Sequence, residues 1–180
     1  MTQTGPAMPN RRALLAGLGA TIFATALPDT SLAAISNHRL RMFNPHNGEH
    51  LDTEIMRGGK LLRSGLQEFN HFARDWRQNI AREIDPRVVE TAIRLQSMVG
   101  NDEPMVLISG YRSPQTNREL NGTAKNSLHM QGFALDLRQP GVSTSHLHRA
   151  AVSLRRGGVG KYSNSSFVHV DCGRVRYWGA

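Results

Sequence analysis

Two short stretches constrain this chain more than any others: Ser127-Leu-His-Met-Gln-Gly-Phe-Ala-Leu-Asp136 and Phe167-Val-His-Val-Asp171. Each carries apolar residues at a period of two, the pattern of a strand with one buried face. Phe133, Leu135 and Leu137 take one face, so Asp136 points to the other, and Gly132 permits a sharp turn that brings it beside His129. In the second stretch Phe167, His169 and Asp171 share a face, while Val168, Val170 and Cys172 face the core. His129, Asp136 and His169 are then two imidazoles and a carboxylate, the donor set of a zinc site that keeps a fourth position open. Taken singly, each histidine is more often a polar residue of surface or core than a ligand, so the residues alone leave both readings standing.

The rest of the chain reads as a frame. Arg39 to Phe43 alternates, Asn44-Pro-His-Asn-Gly48 is turn-rich, and His50 to Ile55 alternates again, which predicts a β-hairpin. His46 and His50 fall at or beside that turn, where loop polarity accounts for them. Leu66, Phe69, Phe72, Ala73, Trp76 and Ile80 recur at helical spacing and predict one helix with a buried stripe. Asp85-Pro86 opens a second helix with a cap and an N-terminal proline, carried by Val88, Val89, Ala92, Ile93 and Leu95 as far as Gly100. Pro104 to Ile108 is a buried strand, and Ser113-Pro114 starts a short helix through Leu120. Ser143 caps a helix with the face Leu147, Ala150, Ala151 and Leu154, stopped by Gly157-Gly158; Val159 to Tyr162 is a strand. The order of elements is that of an α+β domain.

At the start of the chain, Asn10-Arg-Arg-Ala-Leu-Leu-Ala16 opens an apolar run to about Leu27, and Ser31-Leu-Ala33 supplies small residues at signal-peptidase spacing. Residues 1–33 are expected to be an export signal, removed near Ala33 or Ala34. The paired arginines resemble a twin-arginine signal; a general secretory signal is the other reading. Residues 34–180 are the functional domain, expected in the periplasm with no membrane span after cleavage. Cys172 is the sole cysteine, so it forms no internal disulfide, and its apolar strand marks it as a buried thiol. The net charge of +8 suits an anionic partner, and a solvated basic surface is the other reading. The arginines are scattered without interleaved aromatics, which argues against nucleic acid.

Five motifs in order carry a resemblance over nearly the whole chain: Ser109-Gly-Tyr-Arg-Ser113, Asn126-Ser-Leu-His129, Gly132-Phe-Ala-Leu-Asp136, Gly157-Gly-Val-Gly160 and Phe167-Val-His-Val-Asp171, with the closing Arg176-Tyr-Trp178. Together they resemble the MepK-type murein endopeptidases, a group of the zinc D-alanyl-D-alanine peptidases that share the Hedgehog/DD-peptidase fold. The resemblance implies a single α+β domain with a small antiparallel sheet and flanking helices. It implies zinc-dependent hydrolysis of the peptide cross-links of bacterial peptidoglycan. By position, His129, Asp136 and His169 match the zinc ligands. Arg112 matches an arginine that holds or polarises substrate, and Ser127 a serine near the substrate cleft.

One departure concerns the general base. Larger branches of the superfamily place a glutamate three residues before the last zinc histidine, where this chain has Ser166. Asp171 is the nearest substitute, because it shares the strand face of His169; the competing role is an acceptor that orients the His169 imidazole. Two further alternatives stand open: Arg112 as a salt bridge to a surface carboxylate, and Ser127 as a cap for the turn before His129. The Ser166 substitution also keeps a second function in view, a wall-binding or signalling module that retains the zinc fold without turnover.

Overall fold

The computed structural model describes residues 1–2, 37–120 and 123–179, so the expected export signal at 1–33 lies outside the described residues except for its first two. The expected hairpin forms: β1 (His38–Asn44) pairs antiparallel with β2 (Glu49–Arg57), with Gly48 at φ 73° in the turn. A two-residue strand, β3 (Lys60–Leu61), adds to the outer side of β2.

The first helix, α1 (Arg63–Phe72), is shorter than its apolar stripe predicts, and Trp76 and Ile80 lie beyond its end. The reason is Asp75. Its buried carboxylate accepts from the amides of Arg77 (3.1 Å) and Gln78 (3.4 Å), turning the backbone out of the helix, and Asn79 completes the turn at φ 51°. α2 (Pro86–Val99) forms as capped, with the Asp85 side chain accepting from Arg87 N. β4 (Met105–Ser109) leads into α3 (Pro114–Glu119), whose cap Ser113 accepts from Thr116 N. A 3₁₀ turn at Leu128–Gln131 ends on left-handed Gly132 (φ 75°), and β5 (Ala134–Arg138) follows.

α4 (Thr144–Leu154) is capped by Ser143 and ends on Arg155 in the left-handed region, not on Gly157-Gly158. Those glycines have another task, described below. β6 (Gly158–Tyr162), β7 (Phe167–Asp171) and β8 (Arg176–Trp178) complete the chain.

All eight strands among the described residues join one sheet in the order β3-β2-β1-β4-β5-β7-β6-β8. The expectation of a small antiparallel sheet is therefore corrected: the sheet is large, and the β1–β4 and β6–β8 pairings are parallel. The extra width escaped prediction because β3 and β8 are too short to show periodicity, and the parallel pairings because the choice of a strand's neighbour leaves no local mark in sequence. The elements from His38 to Trp178 form one compact α+β unit. The core includes Leu107, Leu135, Leu137, Val168 and Val170 of the sheet with Val88, Ala92, Leu95, Leu147 and Ala151 of α2 and α4. Alternation then decides the position of the site. With Leu135, Leu137, Val168 and Val170 committed to the core, Asp136 and His169 emerge on the opposite face. No helix among the described residues is long and apolar enough to cross a membrane.

Candidate metal centre

A single cross-strand row builds the floor of the site. Ser109 of β4 faces Asp136 of β5, Asp136 faces His169 of β7, His169 faces Gly160 of β6, and Gly160 faces Trp178 of β8. Residues directly opposite one another share a sheet face, so the row delivers these side chains to one line. Gly160 leaves a gap in it that the Trp178 indole fills; a Cβ on Gly160 would come within 2.3 Å of that ring. The indole then lies 5.4 Å from the His169 ring, centroid to centroid. His129 arrives from outside the sheet, on the 3₁₀ turn that Gly132 closes.

The three donors converge. His169 Nδ1 lies 2.9 Å from Asp136 Oδ1, His129 Nε2 lies 3.3 Å from the same oxygen, and the two ring nitrogens are 3.2 Å apart. Tetrahedral ligands about 2.1 Å from one metal ion are spaced roughly 3.4 Å from each other. The triangle already has nearly that size.

The outer nitrogens explain why the inner ones face the triangle as acceptors. His129 Nδ1 is 2.8 Å from Gly110 O, to which it donates, and that leaves Nε2 as a lone pair. His169 Nε2 is 3.2 Å from Asp171 Oδ2, which leaves Nδ1 in the same role. Three acceptors at such separations repel one another unless a cation sits among them, so the donor set fits a divalent metal such as zinc.

Protonation follows the same logic. Burial would raise the Asp136 carboxyl, but the charge and hydrogen bonds of His129, with those of His169, hold it well below the usual carboxylate range. Burial pushes His129 down. Burial would lower His169 too, yet its bonds to Asp136 and Asp171 raise it to about 8. Without metal, the proton on His169 is the cation that the triangle needs.

Arg112 is buried and donates to Asp136 Oδ2 (3.2 Å) and Ser109 Oγ (3.3 Å). Its carboxylate partner is thus the buried Asp136, not a surface acid. Burial lowers its guanidinium below the ordinary arginine value, with Asp136 opposing that shift. Ser127 lines the cleft and also caps the 3₁₀ turn, its Oγ accepting from His129 N at 3.4 Å.

Asp171 is fully enclosed. Oδ1 accepts from Gly158 N (3.0 Å), Gly173 N (2.8 Å) and Arg176 Nη1 (3.1 Å); Oδ2 accepts from Arg176 Nη2 (2.7 Å) and His169. Burial would raise its carboxyl, but these donors hold it well below the usual range. Here Gly157 and Gly158 find their use: a Cβ on either would strike the Asp171 backbone, its carboxylate or the Arg176 guanidinium. Cys172 is half-buried against the core, and burial raises its thiol.

The triangle opens into a cleft of about 540 Å³. Its walls include residues to which sequence reasoning gave no role: His46, Arg77, Tyr162, Arg176 and Trp178. His46, assigned above to loop polarity, bonds to Ile108 O (3.1 Å) and stacks on Trp76. The missing signal was the parallel β1–β4 pairing, which carries the hairpin turn to the cleft. Arg176 sits in the quoted closing motif, and its fixed offset from Asp171 was the available clue.

Comparison with known proteins identifies the lineage. The family model described as "Peptidoglycan L,D-endopeptidase MepK" matches residues 32–178. This chain belongs to that family. It is similar to the Escherichia coli K12 protein named peptidoglycan L,D-endopeptidase MepK, with 42% identity over 176 residues covering 94% of this chain and 97% of that one. It is also similar to a probable peptidoglycan L,D-endopeptidase MepK of Haemophilus influenzae, 35% identical over 177 residues, with 94% and 95% covered. The family is one of metallopeptidases, the class that the donor triangle suits.

Proposed function

We propose that this protein is a zinc-dependent peptidoglycan endopeptidase, with the Hedgehog/DD-peptidase fold, that hydrolyses L,D amide bonds in the peptide cross-links of the wall. The observation that carries this reading is the buried triangle of His129 Nε2, Asp136 Oδ1 and His169 Nδ1, matched in size to one metal ion and open to a cleft. The family match and the names of the relatives support the substrate class.

His129, Asp136 and His169 hold the zinc. Bound there, zinc supplies Lewis acidity, bringing the pKa of water towards about 7 and polarising a carbonyl. The chain's own groups do the rest. Gly110 O and Asp171 lock the two imidazoles in the tautomers that present lone pairs to the ion. Arg112 pins Asp136 through its outer oxygen and adds positive charge beside the place where negative charge grows on the scissile carbonyl. Ser127 sets the turn that aims His129. Asp171 is a positioning residue and not the base: it is enclosed, and both its oxygens are engaged by protein donors.

The same reading places residues 1–33 as a cleaved twin-arginine export signal and the remainder in the periplasm, where the wall is. In support, the family match begins at residue 32. Digestion of two defined muropeptide dimers by zinc-loaded protein, followed by mass, tests the function. Chelator-sensitive cleavage of the L,D-linked dimer, with the D,D-linked one left intact, is expected. Stable binding with no product over long incubation would instead support the inactive wall-binding module.

A further inference from the structure

Arg112 and Arg176, two guanidiniums of the cleft, are already engaged by Asp136 and Asp171. A third, Arg77, also lines the cleft, is exposed, and has no carboxylate partner among the described residues. It is nonetheless held in place. Its guanidinium carbon lies 4.3 Å from the centre of the Trp76 ring, and the other partner of that indole is His46, stacked at 5.1 Å with an interplanar angle of 10°. Its backbone is fixed by Asp75, whose Oδ1 accepts from Arg77 N while its Oδ2 accepts from Ser113 N at 2.9 Å. One buried carboxylate therefore ties the loop bearing Arg77 to the loop bearing Arg112.

A guanidinium held over an aromatic face by its carbon can still offer edge N–H groups, and those edges match a carboxylate in two-point geometry. A cation with that restraint loses less side-chain entropy on binding than a free surface arginine.

We infer that Arg77, stacked on Trp76 and oriented through Asp75, forms a carboxylate-binding subsite of the cleft, which selects cross-linked peptides bearing a free carboxylate beside the bond that is cut. The inference rests on the proposed endopeptidase function and adds to it what the enzyme reads in its substrate. Arg77 acts in specificity, away from the metal ligands.

The test uses zinc-loaded protein and three L,D-linked dimers: one with all carboxyls free, one amidated at the terminal carboxyl, and one amidated at the carboxyl next to the cross-link. The free acid is expected to exceed one of the amides by roughly tenfold in kcat/KM, mainly through KM. Which amide suffers identifies the carboxylate that is read. In Arg77→Gln that preference is lost, and Arg77→Lys, which keeps charge without the two-point edge, retains part of it. Equal kcat/KM for all three dimers with the wild type, or an undiminished preference in Arg77→Gln, would overturn the inference. Calorimetric binding of monomeric stem peptides, acid against amide, reads the same preference where no bond is cut. A protein that hydrolyses none of the dimers but binds the acid tenfold more tightly would sink the endopeptidase reading and leave the subsite standing.

Discussion

Replacing Asp171 with asparagine separates a residue that holds a ring from one that moves a proton. The amide nitrogen must occupy the place of one carboxylate oxygen. In the Oδ1 position it would face Gly158 N, Gly173 N and an Arg176 nitrogen, three donors that have no other role open to them. In the Oδ2 position it faces Arg176 Nη2 and His169 Nε2, and the imidazole can adapt by moving its proton to Nδ1. The second orientation is the less costly. It puts a proton on Nδ1, the nitrogen 2.9 Å from Asp136 Oδ1, inside the metal triangle, and removes the lone pair that His169 offered. Zinc affinity should fall by roughly 10–100-fold, the usual effect of losing the partner that orients a ligand histidine. Weakening the pair with the partly exposed Arg176 should also lower stability by about 1 kcal/mol. Competition against a chromophoric chelator measures the affinity, and turnover is followed as zinc is raised. Turnover of Asp171→Asn should recover to within about tenfold of wild type once zinc saturates. Wild-type zinc affinity combined with a loss of about 10³-fold or more at saturation would refute the reasoning, since a loss of that size without metal loss belongs to a general base.

Arg112→Ala should keep its zinc while kcat/KM falls by about 10²-fold, the scale of one lost charge-stabilising donor; metal analysis showing joint loss of zinc would make its role structural. Gly160→Ala drives a methyl into the Trp178 ring and should cost about 1–3 kcal/mol, read as a lower melting temperature. His169 stands at about 8 in the metal-free protein, above its ordinary value. Its protonated form therefore contributes stability that is complete below about pH 6.5 and fades as pH rises through about 8. Zinc must displace that proton, so its affinity should climb by roughly tenfold per pH unit on approach to pH 8 and then level off, as titrations at fixed ionic strength would show.

Much of the site was legible because β-strand alternation has no ambiguity where one face is apolar. Once Leu135, Leu137, Val168 and Val170 are assigned to the core, Asp136 and His169 must share the other face. Gly132 marked the turn that returns His129 to them. The helical stripe failed at Asp75 for a reason that periodicity does not contain. A buried carboxylate there finds better donors in the turn, at Arg77 and Gln78, and across the fold at Ser113. The reach of the sheet was hidden for a similar reason, because β3 and β8, of two and three residues, are too short to show a repeat. Parallel neighbours such as β1 and β4 are chosen by packing across the chain and leave no local mark. His46 and Trp178 reach the cleft through those pairings, so the cleft walls were less readable than its floor.

The charges of the site also bear on what enters it. Asp136 is matched by Arg112 and Asp171 by Arg176, so the floor is close to neutral while both histidines are unprotonated. A divalent ion then adds positive charge that no further acid in the triangle offsets. In a cleft with low-dielectric walls such a charge is weakly screened, so metal loading, which replaces the His169 proton with a divalent charge, leaves the floor more positive and better able to attract carboxylates. Arg77, on the rim and free of any acid among the described residues, extends that field to the cleft mouth. The two sources differ in exposure: the metal's charge is buried at the floor, and the Arg77 guanidinium on the cleft wall is open to solvent. Salt should therefore weaken capture at the rim more than catalysis at the floor, because the exposed cation is the one that mobile ions can screen.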